Sequence, residues 1–375
     1  MIRILHVLGG LDRGGAETMV MNLYRAIDRS QIQFDFITHT DRHQAYTDEI
    51  LKLGGKIYYF PKFKGINFLQ VKKLWTKFFK EHPEYKILHS HVRSYASLYL
   101  PIAKKAGLKT IIHSHSTSNG KGLSSFVKRL MQFPLRYQAD YFFGCSKEAG
   151  EWLFGKKVVE SPKYHILRNA IDTEKYKFSE ESRAQYREKL NLGNKLTYVH
   201  IGRFHPSKNH PFLLNLFAEI HKRNPDTVLL LVGDGPLRSS IWTQIEELRL
   251  QESVMLLGSR DDIPGILHAA DCLLFPSLWE GFGMVAVEAQ AAGLPCICSD
   301  RVPRSVKVTK LCYFLPINEC EIWVDCAEKN ISNTQTLLKK NLTSITEFGF
   351  DIKKSVLDLS CFYIKCLNCD EYVLK

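Results

Sequence analysis

The chain has 375 residues, 45% of them hydrophobic and 24% charged. At roughly 150 residues per domain this is enough for two domains, each able to bury a core without disulfide or metal staples. These proportions exclude a disordered, collagen-like or coiled-coil protein, and no run of about 18 apolar residues is present to cross a membrane. The net charge of +12 is uneven: residues 1–175 carry 28 Lys and Arg against 15 Asp and Glu, while residues 176–375 carry 23 against 24. A basic amino half points to an anionic partner: a membrane leaflet, nucleic acid or phosphates. Nucleic acid is set aside, because no RNA- or DNA-binding motif accompanies the charge. Residues 1–8 are apolar but run at once into Asp12 and Arg13, so they read as a strand rather than a signal peptide. A cytosolic protein is expected, with its ten cysteines reduced.

In chain order, short apolar runs alternate with helical patterns, the signature of doubly wound parallel sheets. Strands are expected over 2–8, 33–38, 56–60, 86–89, 109–113 and 140–144, then over 197–202, 227–232, 253–257, 271–275 and 295–298. Helices 209–223 and 236–250 begin near Pro211 and Pro236, where a missing N–H costs little. Residues 165–172 read as a last strand and turn, closing a basic first domain over 1–172. A polar linker (173–195) and a second domain (196–348) follow. Alternation fades after Pro316, leaving helices at 320–330 and 334–346 and an amphipathic helix at 351–368 within a final segment, 349–375.

Ligands of such sheets bind beyond the carboxyl ends of strands. After the first strand, a glycine loop (9–15) containing Gly14 and Gly15 opens a helix, offering close backbone approach and free N–H groups to a phosphate. Its spacing is not that of a nicotinamide fingerprint. The pairs His89/His91 and His113/His115 sit at i, i+2 and face one way. They could hold a metal, supply one catalytic or substrate-binding imidazole, or serve structurally; a metal is disfavoured, since no carboxylate cluster joins them. Cys366 and Cys369 have zinc-ligand spacing but no second pair, and residues 150–157 miss a P-loop because Lys157 stands where Ser or Thr must bind magnesium.

In the second half, Arg203 and Lys208 flank a loop opening a helix and suit a diphosphate, the first as a fork and the second as a point charge. Gly233 lies in another close-approach turn. The richest segment runs from Pro276 to Ala289, a glycine loop feeding a helix, with Glu280 before the helix and Glu288 on it. The N–H groups of Gly283, Met284 and Val285, next to Phe282, can receive a phosphate, and the two carboxylates can accept hydrogen bonds from hydroxyls.

Together these residues resemble the GT-B retaining glycosyltransferases of family 4, in particular bacterial capsule and exopolysaccharide enzymes. The resemblance covers roughly 1–310 and implies two Rossmann-like domains facing across a cleft, with a final helix crossing back to the first. It assigns Glu280 and Glu288, the family's Glu-x7-Glu pair, to the transferred sugar and the ribose. Arg203 and Lys208 match the Gly-Arg…Lys-Asn element on the departing diphosphate, Gly14 and Gly15 the phosphate-approaching loop, and His115 the histidine near the anomeric carbon. Residues 169–172 match the interdomain turn, with Ala170 in place of the usual glycine.

The reaction implied moves a hexose or N-acetylhexosamine from a UDP- or GDP-sugar to a hydroxyl, with retention and front-face attack. No Asp-x-Asp motif is present and no cofactor or metal is expected; cations and helix N-termini would stabilise the leaving diphosphate. Lys62 to Lys80 and Lys121 to Tyr137 mix aromatic and aliphatic residues with Lys and Arg. They point to a peripheral position on the inner face of the membrane and to a lipid-linked or oligosaccharide acceptor. The alternatives are a nucleotide-sugar epimerase on the same architecture and a non-catalytic nucleotide-binding subunit.

Overall fold

The computed structural model describes residues 1–115, 123–331 and 349–368, with the backbone alone described at 123–125. The chain divides into two compact units: Met1–Ala170 together with the segment from Asp351, and Ile171–Phe350. The strands of the first are β1 (Ile2–Val7), β2 (Ile32–Thr38), β3 (Ile57–Tyr59), β4 (Ile87–Ser90), β5 (Lys109–Ser114), β6 (Tyr141–Gly144) and β7 (Tyr164–Ile166). Those of the second are β8 (Leu196–Ile201), β9 (Thr227–Val232), β10 (Val254–Gly258), β11 (Cys272–Phe275), β12 (Cys296–Ser299) and β13 (Cys312–Leu315).

Both sheets are parallel, ordered β3-β2-β1-β4-β5-β6-β7 and β10-β9-β8-β11-β12-β13. Helices cover both faces, which is why the strands read as unbroken apolar runs; all six residues of β9 are buried. The strand order reverses between β1 and β4 and again between β8 and β11. At such a switch point the loops leaving the two strands turn to opposite faces and leave a crevice between them. The glycine loop follows β1, whereas Arg203 and Lys208 follow β8 and Glu280 follows β11.

Residues 173–195 are not a linker. Helices Thr173–Tyr176 and Glu180–Lys189 belong to the second unit. Ser179 caps the longer one by accepting from Ser182 N, and Arg183 pairs with Asp271 at 2.6 Å while donating to the carbonyls of His268 and Ala270. Arginines rather than an apolar stripe carry much of this packing, so hydrophobic periodicity gave no signal. Strand β13 also lies beyond the expected set; it spans only four residues and follows the 3₁₀ turn Arg304–Val306. The final helix, Ile352–Asn368, rejoins the first unit, burying Val356, Leu359 and Tyr363 with the core of β1, β2 and the helix Gly15–Ala26. The expected helix at 334–346 and Cys369 lie outside the described residues.

Candidate functional site

In the second unit the switch point brings two loops together. Leu278 N donates to Ser207 O at 2.8 Å, joining the loop after β8 to the loop after β11. Lys208 Nζ then lies 2.6 Å from Glu280 Oε1, and 4.8 Å from the centre of the Phe275 ring. The side chains are only 15% and 12% exposed, so this pair is shielded from solvent and held in one geometry. Gly202 makes room for it: a Cβ there would fall 2.8 Å from Lys208 Cε. Gly233, at φ +140°, packs against the same strand end, where a Cβ would come within 2.0 Å of Gly202 O. Arg203 is exposed and makes no ion pair among the described residues, so it is not drawn to either carboxylate.

Gly283 holds the left-handed conformation (φ +100°) that turns the chain into the helix Met284–Ala291, leaving Met284 and Val285 partly exposed in its first turn. Phe282 is buried against Phe350. Glu288 does not meet Glu280 among these contacts. Its carboxyl is hydrogen-bonded to Tyr176, and although the residue keeps some solvent contact, loss of water around the carboxyl pushes its pKa up to about 7. Tyr176, from the short helix in the stretch expected to be a linker, is a site neighbour that sequence reasoning missed. Its own ionisation is raised by burial and by Glu288.

In the first unit, Gly14 caps the helix Gly15–Ala26. A Cβ on Gly14 would fall 2.2 Å from Glu17 Oε2, so the Glu17 carboxylate lies over this helix start. Burial raises the pKa of Glu17. Gln44 holds the loop by accepting from Leu11 N at 2.8 Å. The histidine pairs share one face of the sheet with His6. His6 Nδ1 is 3.0 Å from His91 Nε2, and His91 Nδ1 is 2.8 Å from His115 Nε2, while His89 Nδ1 reaches Tyr363 OH at 2.7 Å. Two trios, His6/His89/His91 and His91/His113/His115, place ligand atoms within 4.8 Å of one another. Any metal would have to break these contacts, because His91 already uses both ring nitrogens on other histidines.

The basic surface is more selective than its sequence. In the helix Phe68–Glu81, Trp75, Phe78 and Phe79 are core residues, and the large apolar side chains left exposed are Phe68 and Leu69 at its start, with Ile66 just before it. The helix Leu123–Gln132 and the residues after it expose Phe126, Val127, Leu130, Phe133 and Tyr137, interleaved with Lys128 and Arg129. No helix among the described residues is long and apolar enough to cross a membrane.

Comparison with known proteins places this arrangement in a class. The profile of glycosyl transferases group 1 matches residues 182–310, and that of glycosyltransferase family 4 matches residues 13–175. A Bacillus subtilis protein described as glycosyltransferase EpsF is 35% identical over 367 residues, 94% of each chain. The chain therefore belongs to the group 1, family 4 glycosyltransferases, and it is an enzyme of that class. An Escherichia coli UDP-Gal:α-D-GlcNAc-diphosphoundecaprenol α-1,3-galactosyltransferase is 27% identical over 297 residues, 75% of this chain and 76% of the relative. Among solved structures, Anabaena Alr3699/HepE in complex with UDP superposes with a TM-score of 0.79 at 19% identity, over 97% of this chain and all of that one. The lipopolysaccharide glycosyltransferase WaaG superposes with a TM-score of 0.73 at 16% identity, over 95% of this chain and 98% of the other. The fold is GT-B, as the motifs implied.

Proposed function

We propose that the enzyme transfers a hexose or N-acetylhexosamine from a UDP-sugar to a hydroxyl of a lipid-diphosphate-linked saccharide, with retention of anomeric configuration. The observation that carries this reading is the shielded Lys208–Glu280 pair at the switch point, next to the helix start at Gly283. A leaving diphosphate develops charge that Lys208, Arg203 and that helix start are suited to stabilise without a metal. Glu280 then keeps one oxygen on Lys208 and offers the other to a hydroxyl of the transferred sugar, while Glu288 accepts from the ribose. Gly14 and Gly15 supply a second helix start once the Glu17 carboxylate yields to the phosphates. His115 serves the sugar near the anomeric carbon.

The UDP assignment is supported by the UDP and UDP-glucose complexes of the Anabaena protein, and the acceptor class by the diphosphoundecaprenol substrate in the name of the Escherichia coli relative. The apolar and cationic side chains exposed around Phe126 and Leu130 support a peripheral seat on an anionic leaflet. A thermal-shift panel of UDP-, GDP- and ADP-sugars tests the donor. Stabilisation by UDP-sugars alone is expected, growing to about 2.7 kcal/mol at a hundredfold excess over Kd, and no response to any of them overturns the reading. Proton NMR of the first-formed product reads retention or inversion directly. Co-sedimentation with phosphatidylglycerol vesicles at low salt tests the seat; it should be lost in a Phe126→Ser, Leu130→Ser double variant.

A further inference from the structure

Near its end, the helix Met284–Ala291 carries a wholly buried amide, that of Gln290. Gln290 Nε2 donates to Ala286 O, one turn back, at 2.7 Å, and to Val306 O, at the end of the 3₁₀ turn Arg304–Val306, at 2.8 Å. Its Oε1 accepts from Val308 N at 3.1 Å, Thr309 N at 2.9 Å and Thr309 Oγ1 at 3.0 Å. Backbone N–H groups only donate and backbone carbonyls only accept, so these partners settle which end of the amide is oxygen and which is nitrogen. The Thr309 hydroxyl, which donates to Gln290, in turn accepts from Leu311 N at 3.1 Å.

Burying an amide costs free energy unless its hydrogen bonds are made. An apolar residue of similar size would fill the same space without that demand. A fully bonded amide also fixes a position: sliding residues 306–309 along the helix would break all five bonds at once. The segment so fixed reaches the site. A Cβ on Gly283 would meet Phe275 Cε1 at 3.2 Å, Val302 Cγ1 at 3.5 Å and Val306 Cγ1 at 3.6 Å. Gly283 is the residue that turns the chain into the helix, and the ring of Phe275 lies under Lys208 Nζ. Packing therefore runs from Gln290 through Val306 to the helix start and to the aromatic floor of the Lys208–Glu280 pair.

We propose that Gln290 is a positioning residue for the donor site: by locking Val306–Thr309 onto the helix Met284–Ala291, it holds the Gly283 turn and the N–H groups of the helix start where they receive the diphosphate. The part played in donor binding rests on the reading under Proposed function; the lock rests on the second unit alone. Glu288, two residues before Gln290 on the same helix, is held by the same contacts.

The test uses three variants of the full chain. Gln290→Met keeps the length of the side chain and drops its hydrogen bonds. Thr309→Val removes one hydroxyl from the lock, and Thr309→Ser returns it. Calorimetric titration with UDP, well below the melting range of each protein, reads the Kd of folded molecules, which a purely stabilising amide would leave unmoved. UDP should bind about tenfold more weakly to Gln290→Met, less weakly to Thr309→Val, and as in the wild type to Thr309→Ser. Hydrogen exchange should show residues 282–291 and 302–309 losing protection together in the first two variants. An unchanged Kd in both, or protection kept across 282–291 while 302–309 loosens, overturns the proposal. If Gln290→Met does not fold, the threonine pair decides by the same two readouts. A wild type that binds no UDP overturns the donor reading instead, and exchange then decides whether the amide holds the helix start.

Discussion

Glu288 offers a sharp test of the geometry around the proposed donor site through stability rather than activity. Its carboxyl is lifted from 4.5 to about 7, chiefly by loss of water around it. In the unfolded chain it titrates near its ordinary value, so between these limits the folded state binds the extra proton. Stability then falls as pH rises through that window and is flat above it. At about 1.4 kcal/mol per unit the full effect is about 3 kcal/mol; because the residue retains some solvent contact, screening trims this to about 2 kcal/mol. Glu288→Gln removes the titration and leaves an amide that can still bond Tyr176. The variant should match the wild type near pH 4.5 and exceed it at pH 8, where the gain corresponds to about 4–8 °C in Tm for a unit of this size. Scanning fluorimetry of both proteins from pH 4.5 to 8.5 measures the difference. The same substitution should weaken UDP-sugar binding, since a neutral amide is a poorer acceptor for ribose hydroxyls. A Tm difference that does not change with pH refutes the burial argument.

Three further substitutions probe other parts of the structure. Lys208→Ala leaves Glu280 shielded and unpaired and removes the cation proposed to face the leaving group; kcat should fall by about 10²–10³-fold, and initial rates at saturating donor would expose a smaller role. Gly233→Ala drives a Cβ toward the Gly202 carbonyl at 2.0 Å in a backbone region reserved for glycine; a loss of about 2–3 kcal/mol is expected, and a Tm within a degree of the wild type would contradict it. Arg183→Ala removes the pair with Asp271 and two bonds to carbonyls. It should cost about 2–3 kcal/mol in urea unfolding while leaving turnover of the remaining folded enzyme intact.

The architecture was legible where burial on both faces writes itself as apolar runs, and each expected strand has its counterpart. The close-approach turn at Gly233 was legible as well, because such an approach demands glycine. What escaped was carried by other physics. The helix Glu180–Lys189 is fastened by Arg183 and Arg187 to backbone carbonyls at the rim of the sheet, so it shows no apolar stripe. The amphipathic appearance of the helix Phe68–Glu81 misled in the other direction, because Trp75, Phe78 and Phe79 fill the core. Tyr176 beside Glu288 and His6 beside His91 are separated in sequence by more than a hundred and by 85 residues, and only the fold brings them together.

The first unit is assembled from two separate stretches of the polypeptide, with Tyr363 wholly buried and bonded to His89 across 274 positions. Residues 1–170 therefore reach their full packing only after residues 352–368 have been made. Until residues 352–368 dock, the face bearing Ile4, Phe34 and Ile87 lacks part of its cover, whereas Ile171–Phe350 carries its own core. A chain cut just before residue 352 would keep the second unit whole but leave the first half-clad and adhesive, a species that a chaperone has reason to hold.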